Sequence, residues 1–291
     1  MGIDTHVLKF LRNAHRKKNF GDSITVGRQG LSVDEAVVKK IIGAKASYRN
    51  KTYCEELLLE YFGASVVESI DNSGFEGATY IHNMNDPLPP KFCDKFDTVI
   101  DAGCLEHIYN VPQALKNCSL LCKRGGQILH VLPANNFCGH GFWQFSPELF
   151  FSLYSKENGY EETEVFLADL TDIEIWYQVK EPRHGRRVNV NSSRELYILV
   201  RTIRKDSPFT HSDVQQSDYV HEWESSRASL DNETLPVAGM GKPKKSVRKL
   251  LKSIPLFYEM LSPMYHYYLR AKSQSRLNKK NPSLTAVVID A

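Results

Sequence analysis

Between two apolar segments, residues 133–150 carry two adjacent amides (Asn135 and Asn136), a histidine between glycines (Gly139, His140, Gly141), an indole (Trp143) and a third amide (Gln144). A histidine with an ordinary pKa of about 6.5 takes up or releases a proton near neutrality. Flanking glycines let its ring come close to a bound molecule, and amides beside an aromatic face suit a sugar or another polyol. A structural turn at 139–141, with Phe142, Trp143 and Phe145 in the core, accounts for the same residues. The sequence leaves both readings open.

Further polar residues stand directly after apolar, β-branched runs: Gly27, Arg28 and Gln29; Asp71; Asn83; Asp101, Ala102 and Gly103. In an open α/β sheet ligands bind outside the carboxyl ends of the strands, so these positions and the 133–150 cluster converge on one edge. Each has a plainer reading. Gly27 can simply end a strand, Asp71 before Asn72, Ser73 and Gly74 can make an Asx turn, Glu106 can open a helix, and His107 can satisfy a carbonyl.

The elements that must position these residues follow from periodicity. Residues 5–18 suit an amphipathic helix, and 24–26 a strand ended by Gly27. Ser32, with Glu35 three residues on, caps a helix to 42, and 51–62 suits another. Strands are expected at 65–70, 78–83, 96–101 and 127–133, with a helix over 111–121 that precedes Gly125 and Gly126. Ser146 and Pro147 open a helix. Two strands, 164–170 and 195–203, flank a basic loop with Arg183, His184, Arg186 and Arg187, and no clear helix joins them, so an antiparallel pair is expected at one sheet edge. Strands alternating with helices imply a parallel sheet covered on both faces.

The 36-residue run FDTVIDAGCLEHIYNVPQALKNCSLLCKRGGQILHV resembles the second half of a class I S-adenosylmethionine-dependent methyltransferase. Asp101, Leu105, Glu106, His107, Lys123, Arg124, Gly125 and Gly126 carry the resemblance, and the last strand, ELYILVRTI, suits that fold. The resemblance spans roughly residues 20–203 and implies a doubly wound, mostly parallel seven-stranded sheet with an antiparallel final strand. It implies S-adenosylmethionine as cofactor, with Asp71 on the ribose hydroxyls, Asn83 near the adenine edge, and the loop of Gly27, Arg28 and Gln29 approached by the cofactor. Asp101, Ala102 and Gly103 would line its methionine part, with Glu106 and His107 beside them.

The 133–150 cluster would then face the acceptor, His140 taking its proton while Asn135, Asn136, Trp143 and Gln144 position it. This loop also resembles those of bacterial methyltransferases from surface-glycan pathways, which implies O-methylation of a small polar or glycan-type acceptor, lipid-linked in one version. Two departures motivate a second reading, a non-catalytic binding subunit. Only the first glycine of the family's Gly-x-Gly-x-Gly loop is in place, and Asn83 stands where an acid is usual. An NAD-linked enzyme fits poorly, because no Gly-x-Gly-x-x-Gly follows a strand.

The 291 residues are 42% hydrophobic and 24% charged, ordinary for a globular chain. A net charge of +3 gives no reason to expect nucleic acid. The six cysteines (Cys54, Cys93, Cys104, Cys118, Cys122, Cys138) form no CxxC pair and read as reduced thiols, with no metal expected. The start lacks a signal-peptide core, His6 stands where a myristoylation motif wants Ser or Thr, and no run approaches a membrane span, which together predict a cytoplasmic protein.

Three units are expected: an α/β domain over 1–205, a polar linker over 206–240 and a basic, aromatic-rich helical extension over 241–291. In the extension Val247, Leu250, Leu251, Ile254 and Phe257 recur at helical spacing among Arg248, Lys249 and Lys252. That pattern fits a helix on an anionic membrane surface, with Tyr258, Tyr265, Tyr267, Tyr268, Met260 and Met264 as an interface belt. It equally fits a helix packed on the domain or on a partner subunit, and less well RNA binding.

Overall fold

The computed structural model describes residues 2–43, 52–182, 187–206, 214–231 and 276–289. Arg183, His184, Arg186 and the predicted amphipathic segment from Val247 to Phe257, with the belt of Tyr258, Met260, Met264, Tyr265, Tyr267 and Tyr268, lie outside them.

The chain opens with helix α1 (Thr5–Lys17), which starts where Asp4 Oδ1 accepts a hydrogen bond from Val7 N at 2.9 Å. It ends with His15, Arg16 and Lys17 at the negative end of its dipole. Strand β1 (Gly21–Val26) follows, then α2 (Glu35–Ile42), α3 (Glu55–Tyr61), β2 (Ala64–Asp71) and the two-residue β3 (Tyr80–Ile81). The N-cap of α2 is Asp34 rather than Ser32, and the strand expected over 78–83 shrinks to two residues. Next come β4 (Phe96–Ala102), α4 (Val111–Leu121), β5 (Cys122–Asn135), α5 (Pro147–Leu153), β6 (Tyr160–Asp169), β7 (Ile175–Val179), β8 (Leu196–Arg204), α6 (Ser217–Asp231) and β9 (Leu284–Val288).

These strands form one sheet in the order β3-β2-β1-β4-β5-β8-β6-β7-β9. The run from β3 to β5 is parallel, and β8 lies antiparallel to both β5 and β6. Beyond β6 the sheet continues antiparallel through β7 and β9.

Seven strands were expected and the described residues hold nine, so the β6/β8 pair is interior rather than at the edge. The two extra strands are each five residues long and pair with one another, and among the described residues neither has a flanking helix to announce it. The expected division of the chain also changes. Part of the linker is helix α6, whose first backbone N–H, at Ser217, donates to Glu148 Oε1 at 2.7 Å, while Arg187 pairs with Asp218. Part of the supposed helical extension is β9, the edge strand of the main sheet. No helix of the described residues is long and apolar enough to cross a membrane.

Alternation along the central strands splits the core between the two faces. Val99, Ile128 and Leu132 pack with Leu115 of α4 and Phe150 of α5. Ile100, Leu129 and Val131 pack with Leu8 and Leu11 of α1, Val38 of α2 and Leu57 of α3. The layers are therefore helix, sheet, helix, which buries both faces of the parallel strands and leaves their carboxyl ends as the place for polar chemistry.

Candidate functional site

The strand order reverses between β1 and β4: the chain passes from β1 out to β2 and β3, then returns to β4 on the other side and continues to β5. Carboxyl-end loops on the two sides of such a switch point part and leave a crevice. Val26 pairs with both Ile70 and Asp101 across the ladders, so Gly27, Asp71 and Ala102 leave the sheet side by side.

Gly27 turns the chain with φ +71°, a left-handed conformation natural to glycine. A Cβ there would stand 3.5 Å from Gln29 Nε2, 3.6 Å from Cys104 Sγ and 3.8 Å from Asp71 Oδ2. Three polar side chains from three loops thus look at one bare backbone position. The loop is anchored on both sides: Ile3 N donates to Gly30 O at 2.7 Å, and Cys54 N to Gln29 O at 3.0 Å.

Gln29 is buried, and its Nε2 donates to Val26 O at 2.7 Å. Its Oε1 has no hydrogen-bond partner. Asp71 Oδ1 accepts from Ser73 N at 3.1 Å, so the Asx turn anticipated as the plain reading is present. It occupies one oxygen and leaves Oδ2 toward Gly27. Cys104, which no local motif marks in the sequence, completes the group. Burial pushes its thiol well above the ordinary range, with Asp101 and Asp71 adding to the effect, so it is a neutral wall rather than a nucleophile.

Two other residues assigned to the loops are otherwise occupied. Arg28 Nε donates to Glu55 Oε1 at 2.7 Å, its NH1 donates to Glu76 O at 2.8 Å, and its guanidinium lies 3.9 Å from the centre of the Tyr53 ring. It clamps α3 to the 74–77 loop. Asn83 is exposed, and its Oδ1 accepts from Asn85 N at 3.1 Å and Asn85 Nδ2 at 2.8 Å, an Asx turn.

Asp101 does not line a crevice, contrary to expectation. It is fully buried; its Oδ1 accepts from Cys104 N at 3.0 Å, and its Oδ2 lies 2.9 Å from His130 Nδ1. His130 Nε2 in turn meets Tyr154 Oη at 2.7 Å. Asp101 and His130 are neighbours across β4 and β5, so this relay is built into the ladder. It fixes the turn through Ala102 and Gly103, both buried, with Gly103 at φ +87°.

A second cluster stands two residues beyond Cys104. Glu106 lies in a one-turn 3-10 helix (Leu105–His107) and is fully buried. Its Oε1 is 3.3 Å from His140 Nε2 and 3.6 Å from His107 Nε2, while Oε2 has no hydrogen-bond partner. The His107 and His140 rings meet edge to face at 4.9 Å. Burial, then the charge of Asp101, pushes the Glu106 carboxyl up to about 8. Burial and neighbouring His140 lower His107 below the ordinary imidazole range.

The loop carrying His140 is pressed onto Glu106 through Gly141, at φ +70°. A Cβ there would stand 2.8 Å from Glu106 O and 2.9 Å from its Cγ, and Phe142 N donates to Glu106 O at 2.7 Å. Glycine at 141 is therefore required by close approach.

The amides expected to face an acceptor hold the loop instead. Asn135 Nδ2 donates to Ser192 O at 2.9 Å, Asn136 Nδ2 to Arg194 O at 3.0 Å, and Gln144 Oε1 accepts from Phe137 N at 3.0 Å. The aromatics divide. Phe145 is buried as the plain reading required, whereas Phe142 is 67% and Trp143 41% exposed. Tyr109, 75% exposed, lies 6.3 Å from the Phe142 ring and 6.5 Å from that of Trp143. Trp143 Nε1 donates to Ile108 O at 3.0 Å, which fixes the indole.

No family model matches the chain, and no curated protein matches it. Solved structures similar to it include a SAM-dependent methyltransferase of Thermotoga maritima, at 14% identity and a TM-score of 0.39, over 69% of this chain and 91% of that one. Another is a 1,6-didemethyltoxoflavin-N1-methyltransferase of Burkholderia thailandensis with bound 1,6-didemethyltoxoflavin and S-adenosylhomocysteine, at 13% identity and a TM-score of 0.38, over 69% of this chain and 78% of that one. Likenesses at these scores are too slight to assign an activity or a site residue.

Proposed function

We propose that the chain is an S-adenosylmethionine-dependent methyltransferase acting on an oxygen of a small polar or glycan-type acceptor. The observation that carries this reading is the cradle around Gly27. A bare left-handed backbone position at the topological switch point is faced by Gln29 Nε2, on a side chain whose buried Oε1 is an unpaired acceptor, by Asp71 Oδ2 and by the neutral Cys104 thiol.

That set fits a ligand with vicinal hydroxyls and an uncharged ring. Asp71 Oδ2 would accept from ribose hydroxyls, Gln29 would meet a donor, and the missing Cβ of Gly27 would admit the ligand against the backbone. When bound, S-adenosylmethionine supplies an electrophilic methyl group.

On the acceptor side Glu106, His107 and His140 form the group able to draw off a hydroxyl proton, with His140 half-buried on the loop after β5 and His107 exposed. The exposed Tyr109, Phe142 and Trp143 faces suit stacking on a sugar ring.

The test is transfer of a tritiated methyl group to a panel of sugar and polyol acceptors by the wild type and by His140→Ala. Label on an acceptor from the wild type, at least 100-fold slower in the variant, supports the reading. A protein that binds cofactor but transfers label to nothing points to the non-catalytic alternative.

A further inference from the structure

A fully buried carboxylate ordinarily has a cation or several donors around it. Glu106 has neither. Among the described residues its ion-pair partners are His107 and His140, both on Oε1, and Oε2 has no hydrogen-bond partner. Both imidazoles present Nε2 to the same oxygen. The arrangement is held from outside by Gly141, whose loop fits only because no Cβ intervenes, and by Phe142 N on Glu106 O.

Two of the three spacings are those of ligands around one ion. Ligand atoms about 2.0–2.2 Å from a tetrahedral metal stand about 3.3–3.6 Å from one another. The two Nε2-to-Oε1 distances are 3.3 and 3.6 Å, and one ligand atom from each of the three residues lies within 4.8 Å of the others. Two imidazoles and one carboxylate match the preferences of zinc and its first-row neighbours rather than magnesium or calcium, which take oxygen almost exclusively. Three protein ligands leave one position open, the arrangement of a reactive site rather than a structural one. His107 and His140 are 47% and 35% exposed, so an ion has a path in and the open position meets solvent.

We propose that Glu106, His107 and His140 bind a single divalent transition-metal ion, zinc by preference, with one coordination position open toward the aromatic rim of Tyr109, Phe142 and Trp143. The sequence pointed to no metal because its cysteines lack ligand spacing. These ligands come instead from a 3-10 turn after β4 and a loop after β5, 34 residues apart for Glu106 and His140.

The ion site stands on its own geometry. Its use would be to acidify an acceptor hydroxyl held at the open position, which would lose its proton to solvent; this rests on the methyl-transfer reading, and there His140 serves deprotonation as a ligand.

The test uses the full chain, stripped with a chelator and titrated with zinc chloride by calorimetry, with metal content measured after dialysis and d–d absorption recorded on cobalt loading. The expected result is one equivalent bound at micromolar affinity or tighter. His140→Ala and His107→Ala should each weaken it at least tenfold while leaving circular dichroism unchanged, and Cys138→Ser, at an exposed thiol, should have no effect.

Zinc retained at full affinity by a folded His107→Ala/His140→Ala double variant, or lost in Cys138→Ser, overturns the assignment, as does the absence of stoichiometric binding. Zinc binding by a protein that binds no S-adenosylmethionine would uphold the ion site and remove the methyl-transfer reading; cofactor binding without zinc would do the reverse.

Discussion

Replacing Gly27 with alanine separates a glycine that only ends a strand from one that makes room for a ligand. The nearest heavy atoms to the new methyl would lie at 3.5, 3.6 and 3.8 Å, ordinary van der Waals contacts, so the free protein meets no clash. What remains is the strain of a left-handed L-residue at φ +71°, roughly 1–2 kcal/mol. For a domain of this size each kcal/mol lowers Tm by about 2–4 °C, so calorimetry should record a drop of about 2–8 °C.

Affinity should respond more strongly, because the methyl occupies the position the cofactor needs. S-Adenosylhomocysteine binding should weaken at least tenfold, about 1.4 kcal/mol or more, in titrations far below the melting temperature. A Gly27→Ala protein that loses those few degrees yet binds the ligand as the wild type does would refute the cradle. A loss of stability beyond about 4 kcal/mol would instead mean that the loop is packed more tightly than these distances allow.

Gly141→Ala should act in the opposite way. Its Cβ would meet Glu106 O and Cγ at 2.8 and 2.9 Å, so the loop must shift and zinc affinity should fall while S-adenosylhomocysteine binding at the Gly27 side changes less than threefold. His130→Ala strands Asp101 Oδ2 and Tyr154 Oη in the core and leaves a cavity, a loss of about 3–5 kcal/mol in urea denaturation. Arg28→Ala should weaken stability through the Glu55 and Glu76 contacts, by about 1–3 kcal/mol, and leave cofactor affinity within a few fold; a large affinity loss at unchanged stability would return Arg28 to the binding loop.

The parallel half of the fold was legible because its strands are runs such as Phe96–Ala102, buried at every position but Asp97, with helices of clear period between them. The outer strands were not legible. Ile175–Val179 and Leu284–Val288 are short and lie 105 residues apart along the chain at their closest ends, so their pairing is a long-range fact without a local signal. The composition of the C-terminal stretch, basic and aromatic, pointed toward helix.

At the site the positions were legible and the roles less so. Gly27, Gln29 and Asp71 do come together, but Asp101 turned inward because His130 is its neighbour in register, a pairing visible only once strands are aligned. Asn135, Asn136 and Gln144 looked like ligand contacts because side-chain amides serve loops and ligands equally well; backbone carbonyls at 192 and 194 and the Phe137 amide had already engaged them. Glu106 with His107 and His140 was missed as a unit because its parts come from two loops that only Gly141 allows to touch.

Calorimetric titration of the purified chain with S-adenosylmethionine and with S-adenosylhomocysteine, repeated on Asp71→Ala, tests the central claim most directly. The account predicts micromolar binding of both ligands by the wild type and at least a tenfold loss in the variant, since an anionic acceptor for two hydroxyls contributes about 1.5–3 kcal/mol per hydrogen bond. Absence of binding to either ligand, or equal affinity in Asp71→Ala, would contradict it.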